Sequence, residues 1–230
     1  MDITVENLSK KYDNTVVFEN FSTTFESGMI TAVMGRSGIG KTTLLNCISG
    51  ITDYSGNIAG AEKTSYVFQE DRLVPNLTVY GNLELVLGKE TPKNKKFSVI
   101  KEILSDVGLT EKLADLPSRL SGGEKKRVAL ARAFISGSPT MLLDEPMNSL
   151  DIGLKYKIIR LFLDLNRKYG RTAIYVTHDL DEAVSVADKV IVIAKDGVTY
   201  SRLINSDKFS RKVTDEECIS VKKEILDFLI

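Results

Sequence analysis

The stretch ITAVMGRSGIGKTT, Ile30–Thr43, decides the fold of this chain. Apart from Thr31, its first five residues are apolar and show no alternation, which is typical of a strand buried on both faces of a parallel sheet. The remainder, GRSGIGKTT, fits the pattern GxxxxGK[ST], and helix signals continue from Lys41 to Ser49. A strand, a glycine-rich loop and a helix in this order indicate a phosphate-binding loop.

The chemistry of this loop points to nucleotide phosphates and Mg²⁺. Its glycines let successive backbone N–H groups face phosphate oxygens, and the following helix adds the positive end of its dipole. Lys41 would reach the β- and γ-phosphates, and the Thr42 hydroxyl would bind Mg²⁺. The alternative is a flexible glycine loop. The predicted phosphate-binding residues are Gly35, Arg36, Ser37, Gly38, Ile39, Gly40, Lys41, Thr42 and Thr43.

A second element, TMLLDE, ends at Asp144 and Glu145. A buried strand that delivers a carboxylate at its C-terminal end puts it where α/β sheets bind ligands. Asp144 suits the Mg²⁺ shell, and Glu145 could polarise an attacking water as a general base. The alternative is a strand end that carries two solvated acids.

A third element, LSGGE, leads into the helical sequence KKRVALARAF. Ser121, Gly122 and Gly123 stand at a helix start, where a hydroxyl and free N–H groups favour an anion. By itself this pattern is more typical of an ordinary helix N-cap.

The rest of the chain alternates strands and helices around a helical middle. The segment from Thr78 to about Ser136 has helical texture, interrupted by the charged stretch KETPKNKK, for which we expect a solvated loop. After Pro139 the alternation returns, and a turn through Asp196-Gly197 indicates a hairpin. This pattern predicts an α/β fold with a parallel sheet. Further strands are expected at Ile3–Leu8, Val16–Phe25, SGNI, SYVFQ, TAIYVT and KVIVIA.

Composition excludes several classes of protein. The 230 residues are 43% hydrophobic, and 31 basic and 31 acidic side chains give a net charge of zero. A chain with no net charge has no global electrostatic attraction to nucleic acid. Cys47 and Cys218 belong to no metal-ligand pattern and are expected to be reduced, buried thiols. The start has no apolar signal segment, and no apolar run approaches membrane-spanning length. We expect a soluble protein.

The order of the three motifs resembles that of the ATP-binding cassette (ABC) ATPases, from Tyr12 to about Gly197. The resemblance implies a P-loop NTPase core with a parallel sheet, an N-terminal antiparallel β subdomain and an inserted helical subdomain. It places all 230 residues in one ATPase domain, with the helical insert at about residues 76–137. ATP and Mg²⁺ are the expected ligands.

Four further residues match positions of this family. Gln69 in VFQED looks like the Q-loop glutamine, which contacts Mg²⁺ and water, and Asp151 in NSLD resembles the D-loop aspartate. His178 in VTHDLDEA matches the histidine that contacts the γ-phosphate. Tyr12 falls where the family stacks an aromatic ring on adenine, although packing between strands is a plausible alternative. The implied Mg²⁺ set is Thr42, Gln69 and Asp144, and the implied catalytic set is Glu145, His178, Gln69 and Lys41.

The resemblance also implies partners. Two subunits would pair head to tail, favouring a homodimer, so that Ser121–Gly123 of one subunit faces the phosphate loop of the other. A separate transmembrane permease would hold the protein at the inner face of the cell membrane, with a solute-binding protein as a further candidate partner. No nucleic acid is expected.

Within the family, VFQEDRLVPNLTVYGNL resembles importers of nitrate, sulfonate, taurine and thiamine-precursor solutes, and it overlaps with lipoprotein-release and efflux cassettes. The alternatives are a soluble ABC ATPase in DNA repair, chromosome or translation work, and a cassette that only binds nucleotide. Three departures stand out: a short hairpin between Gly56 and Ser65, the D-loop sequence Met147–Asp151, and few residues after Gly197, so no solute-sensing domain is expected.

Overall fold

A computed structural model describes residues 1–89, 91–148 and 150–229 of the chain. The apolar run before the glycine-rich loop is a strand, as predicted. The strands are β1 (Ile3–Tyr12), β2 (Thr15–Phe25), β3 (Ile30–Met34), β4 (Ser55–Ala59), β5 (Thr64–Val67), β6 (Thr140–Asp144), β7 (Thr172–Val176), β8 (Lys189–Ile193) and β9 (Val198–Leu203). The helices are α1 (Lys41–Ile48), α2 (Val79–Glu84), α3 (Lys93–Asp106), α4 (Gly122–Ile135), α5 (Ile152–Tyr169), α6 (Leu180–Val186) and α7 (Glu216–Leu229).

A mostly parallel sheet positions the motif residues. Among the described residues, six strands lie in the order β5-β6-β7-β3-β8-β9. The pairs β6–β7, β7–β3 and β3–β8 are parallel, and β9 returns antiparallel to β8 after the predicted turn. Every residue of β3, β6 and β7 is buried, as expected for strands covered on both faces. The carboxyl ends of these three strands therefore meet at one edge of the sheet.

The N-terminal strands form a separate antiparallel sheet in the order β2-β1-β4. Its core side chains include Phe18, Phe21 and Phe25, all buried. The predicted hairpin between Gly56 and Ser65 is wrong, because β4 pairs with β1 whereas β5 lies beside β6. Gly60 lies between them with a φ of +83°, and a Cβ there would lie 2.1 Å from Asp2 O. The chain thus leaves one sheet at a glycine and enters the other.

The chain divides into two compact units. The first consists of Met1–Tyr66, Pro139–Glu145 and Gly170–Ile230, and it contains the antiparallel sheet and nearly all of the parallel one. The second consists of Val67–Ser138 and Pro146–Tyr169, so it contains α2 to α5. The interval 76–137 lies within the second unit.

Helices account for most of the second unit, and two of them differ from the sequence predictions. The predicted loop KETPKNKK is wrong in its second half, because α3 begins at Lys93 directly after Pro92. Lysine is a good helix former, and proline is tolerated before the first helical residue. α2 is shorter than predicted and ends at Glu84, while its predicted start is right, with Thr78 Oγ1 accepting the Gly81 N–H.

Two further expectations concern the membrane and the cysteines. Across the three described ranges, no helix combines the length and apolarity needed to cross a bilayer. Cys47 and Cys218 are both buried, as predicted. Burial raises the pKa of Cys47 to about 11, so this thiol is unreactive at neutral pH.

Candidate active site

The loop Gly35–Gly40 joins β3 to α1 in a conformation that requires glycine. Gly40 precedes α1 with a φ of +109°, in the left-handed region. A Cβ atom at this position would lie 2.4 Å from Val17 Cγ1, so a side chain would force Val17 to shift. Gly40 also offers no side-chain acceptor to the first amides of α1, and a helix N-terminus of this kind attracts anions.

Lys41 is the first residue of α1, and its amine turns back onto the loop. Nζ donates to Gly35 O at 2.9 Å and to Arg36 O at 3.1 Å. Burial lowers the pKa of Lys41, and the carboxylates of Glu145 and Asp144 oppose that shift. The amine is therefore held inside the loop, where phosphate oxygens could replace the two carbonyl oxygens as its acceptors.

Thr42 and Asp144 place a hydroxyl beside a carboxylate. Thr42 Oγ1 donates to Asp144 Oδ1 at 3.1 Å, and Asp144 is only 7% exposed. Burial is the largest influence on this carboxyl and raises its pKa, a cost that a nearby cation would relieve. Within the described residues, no cluster of three or more His, Cys, Asp or Glu could hold a metal. The pair suits Mg²⁺, which usually takes one or two carboxylates together with phosphates and waters.

Glu145 follows Asp144 in a strained conformation. Its φ of +43° is left-handed, which is uncommon for a residue with a side chain and clusters at functional sites. The Glu145 N–H donates to Val176 O at 2.9 Å and ties the end of β6 to β7. Glu145 Oε1 lies 3.2 Å from Nδ1 of His178, whose side chain is 64% exposed. Adjacent parallel strands thus bring the predicted base and the predicted histidine together.

Tyr12 ends β1 and is not part of the core. Its side chain is exposed, and the Lys10 ammonium lies 4.7 Å from the centroid of its ring. Lys10 Nζ also donates to Asp53 O at 2.6 Å. The ring is therefore accessible to a flat ligand rather than packed between strands.

The LSGGE turn begins α4 in the second unit with a capping box. Ser121 Oγ accepts the Glu124 N–H at 3.3 Å, and a Glu124 carboxylate oxygen accepts the Ser121 N–H at 2.8 Å. The backbone and side-chain hydrogen bonds of Ser121 lower the pKa of Glu124. A Cβ at Gly122 would meet nothing within 4 Å, whereas one at Gly123 would lie 2.9 Å from Leu154. The N-cap interpretation is confirmed, and the anion role stays a prediction.

The segment around Gln69 is anchored by two buried residues that the sequence analysis missed. Lys126 Nζ lies 2.8 Å from Asp71 Oδ1 and donates to Gln69 O at 3.2 Å. Asn82 is fully buried, accepts the Val74 N–H at 2.7 Å and donates to Val74 O at 3.1 Å. The Gln69 side chain itself is exposed. Both anchors come from helices, so only the fold identifies them.

The predicted D-loop precedes α5. Asp151 Oδ1 accepts the Leu154 N–H at 2.9 Å and so caps the start of this helix. Ser149, the serine of NSLD, lies outside the described residues.

The predicted site residues fall into two sets. Contacts and charge interactions within the first unit link Lys41, Thr42, Asp144, Glu145 and His178. Gln69, Ser121–Gly123 and Asp151 belong to the second unit. The sequence analysis also missed Thr177 and Glu182, which flank the turn at His178; a glutamate three residues after the Asp179 N-cap was the available signal.

Comparison with known proteins decides the family. Residues 18–148, more than half of the chain, match the family described as ABC transporter. The chain belongs to this family. The aliphatic sulfonates import ATP-binding protein of Albidiferax ferrireducens is 36% identical over 234 residues, covering 98% of this chain and 82% of that protein. The protein of the same name from Rhodopseudomonas palustris is 35% identical over 236 residues, covering 100% of this chain and 84% of that protein.

Solved structures agree with this assignment. An ATP-binding cassette solved as a dimer in a post-hydrolysis state with ADP and Pi matches with a TM-score of 0.76 and 27% identity, covering 89% of this chain and 100% of that one. A cassette of Clostridium perfringens, part of an ABC transporter complex, matches with a TM-score of 0.79 and 25% identity, covering 97% and 94%. The fold and the ATPase activity predicted from the motifs of this ABC ATPase are confirmed.

Proposed function

We propose that this ABC ATPase powers the import of a small solute of the aliphatic sulfonate class through a separate permease. The observation that carries its chemistry is the pairing of Glu145 with His178 at 3.2 Å, beside the 3.1 Å contact of Thr42 with Asp144. Import and the solute class rest on the relatives, which are named for aliphatic sulfonate import.

Each predicted site residue of the first unit has a proposed task in ATP hydrolysis. Amides of Gly35–Thr43 bind the phosphates, and Lys41 exchanges its two carbonyl acceptors for β- and γ-phosphate oxygens. Glu145 polarises the attacking water, and His178 contacts the γ-phosphate. Tyr12 stacks on adenine.

The metal would be held by Thr42, Asp144 and Gln69. Mg²⁺, when bound, neutralises charge on the β- and γ-phosphates. The Asp144 carboxylate supports this assignment. Burial raises its pKa by destabilising the charged form, and a neighbouring cation would stabilise that form.

The active form is proposed to be a head-to-tail homodimer with two ATP sites. Ser121–Gly123 of each subunit would cover the nucleotide held by the other subunit. Two observations support this arrangement: the open space around Gly122, and the similarity to a cassette solved as a dimer with ADP and Pi. Asp151 would contribute to the same dimer contact.

The first experiment tests the base and the dimer together. Glu145→Gln should keep ATP binding and lower hydrolysis by about 10²–10⁴-fold, the usual effect of losing a general base. ATP should then accumulate a stable dimer on size-exclusion chromatography. The control is Glu216→Gln, an exposed carboxylate at the start of α7. Wild-type turnover in Glu145→Gln would remove Glu145 from the base role.

The second experiment tests the permease. The permease is proposed to dock near Gln69 and α2, where Leu85 is 57% exposed. Tagged protein purified from its native host in mild detergent should retain a multi-span membrane protein, and Leu85→Asp should lose it. The matched control is Leu203→Asp, at 52% exposure on β9. Recovery of soluble partners alone would contradict the transporter role, and a co-purifying solute-binding protein would support import.

This arrangement would hold the ATPase at the inner face of the cell membrane through its permease. Uptake of a labelled alkanesulfonate by cells that carry or lack the gene tests the solute class. Equal uptake in the two strains would contradict it.

A further inference from the structure

A buried polar network lies behind the exposed His178. Glu182, in the first turn of α6, is 4% exposed, and Thr177 and Tyr175 are 2% and 0% exposed. Thr177 Oγ1 donates to Glu182 Oε2 at 2.7 Å, and the Tyr175 hydroxyl donates to the same oxygen at 3.4 Å. A carboxylate this deeply buried is costly unless hydrogen bonds compensate, so its place in the fold calls for a reason.

The network holds both chain neighbours of His178. Thr177 Oγ1, which donates to Glu182, also accepts the Asp179 N–H at 3.0 Å. Asp179 Oδ1 in turn accepts the N–H groups of Asp181 and Glu182 at 2.8 and 3.1 Å. The end of β7, the turn and the start of α6 are therefore joined by bonds that pass beneath His178.

This anchoring matters because His178 has little support of its own. Its side chain is 64% exposed, and its direction depends on the backbone of the turn. The 3.2 Å approach of its Nδ1 to Glu145 Oε1 thus requires that Thr177 and Asp179 be held in place. A misplacement of about 1 Å can lower an enzyme's rate by 10²-fold.

We infer that Thr177 and Glu182 are positioning residues for His178, holding its turn so that the imidazole meets Glu145 and the γ-phosphate. The inference rests on the proposed role of His178. It assigns to the buried carboxylate a function in catalysis rather than in stability alone.

The test begins with a matched pair at Thr177. Thr177→Val keeps the shape of the side chain but loses the hydroxyl, and Thr177→Ser keeps the hydroxyl. We expect Thr177→Val to lower kcat for ATP hydrolysis by about tenfold with KM for ATP unchanged, and Thr177→Ser to remain within about twofold of wild type. A Thr177→Ser variant as impaired as Thr177→Val would overturn the inference.

A control separates positioning from loss of stability. Tyr200→Phe removes a 2.9 Å hydroxyl-to-carboxylate hydrogen bond to Glu224 elsewhere in the first unit. It should lower the melting temperature without changing kcat. A Tyr200→Phe variant that lowers kcat as much as Thr177→Val would show a general stability effect and overturn the inference.

A double-mutant cycle with His178→Ala then isolates the coupling. If Thr177 acts through His178, Thr177→Val should change kcat by less than about twofold in the His178→Ala background. Equal losses in both backgrounds would overturn the inference and leave the role of His178 intact. Unchanged turnover in His178→Ala alone would instead refute the proposed role of His178, and the inference with it. Should Thr177→Val fail to fold, Thr177→Cys, whose thiol is a weak donor and acceptor, replaces it in the same cycle.

Discussion

Gly40 and Gly122 both stand at the start of a helix, one in the phosphate loop and the other in the LSGGE turn. At Gly40 a left-handed φ of +109° and the 2.4 Å approach to Val17 make any side chain strained. At Gly122 the space for a Cβ is open, and the helix is capped by Ser121 and Glu124 alone. The first glycine is required by its own fold, whereas the second is not.

The contrast separates two reasons for a small residue. Glycine in the middle of a helix costs about 0.5–1 kcal/mol relative to alanine, which is an upper limit for Gly122 as the first residue of α4, and no described residue near it requires glycine. A requirement for glycine at position 122 would therefore have to come from outside the chain. This agrees with its proposed place against the nucleotide of a second subunit.

The largest effect is expected for Gly40→Ala. A left-handed conformation costs an alanine about 1–2 kcal/mol, and forcing a methyl into a packed space costs about 1–3 kcal/mol more. Urea denaturation should show a loss of about 2–5 kcal/mol, with ATP binding abolished. The control is Gly38→Ala, with a φ of +76° and open space, which should lose only the first of these amounts. Equal losses of stability at Gly40 and Gly38 would contradict the claim that the contact with Val17 adds a steric cost at Gly40.

The next effect concerns the buried carboxylate beside the loop. Asp144→Asn should raise the melting temperature at neutral pH by about 2–4 °C, the shift that about 1 kcal/mol produces in a chain of this size. The asparagine oxygen can still accept from Thr42, and the side chain at position 144 no longer carries a buried charge. ATP hydrolysis should nevertheless be lost with the metal ligand.

The stability difference between wild type and Asp144→Asn depends on pH, and its sign follows from the raised pKa of Asp144. Because the folded pKa of Asp144 lies above its ordinary value of 3.8, the penalty is absent below that pH and grows as pH rises through the folded pKa. The melting temperatures of wild type and Asp144→Asn should therefore become equal at acid pH. A variant less stable than wild type at neutral pH would contradict the burial argument.

Gly122→Ala should separate stability from function. We expect a stabilisation that does not exceed about 0.5–1 kcal/mol, the gain from alanine in a helix interior, because Gly122 is the first residue of α4 and a Cβ there meets no neighbour. Hydrolysis should fall about tenfold or more, since the methyl would displace the other subunit's nucleotide. Gly123→Ala should be stabilised less, because Leu154 must shift. A Gly122→Ala enzyme with full turnover would contradict the proposal that glycine is needed here to make room for the other subunit's nucleotide.

The smallest effect is expected for Glu124→Gln. Its lowered pKa means that the carboxylate stabilises the fold above its ordinary value of 4.5 and loses that effect as pH falls through the folded pKa. At neutral pH the variant should melt about 1–3 °C lower, consistent with about 0.3–1 kcal/mol for a carboxylate at a helix N-terminus. The difference should vanish in acid, opposite in sign to the effect at Asp144. An unchanged melting temperature would leave the capping serine as the main contributor.

Much of the site was predictable because its signals are local. An apolar run followed by GRSGIGKTT predicts strand, loop and helix, and carboxylates after TMLLD predict the same edge of a parallel sheet. The start of α3 was missed because charge in KETPKNKK indicated a loop, although lysine also favours helix. The partners of β4 were missed because β4 and β5 look like one hairpin, whereas the chain leaves the sheet of β4 and β1 at Gly60 and enters the other sheet.

The sequence alone determined the family, the ATPase chemistry and most strands and helices, because periodicity and the spacing of motif residues follow from backbone geometry within a few residues. Only the tertiary structure decided that β4 and β5 lie in different sheets, that His178 meets Glu145, and that Asn82 and Lys126 anchor the segment at Gln69. Apart from the contact of Asn82 with Val74, these contacts join residues far apart in the chain. Their partners are chosen by which strands pair and which helices pack, and no local pattern records that choice.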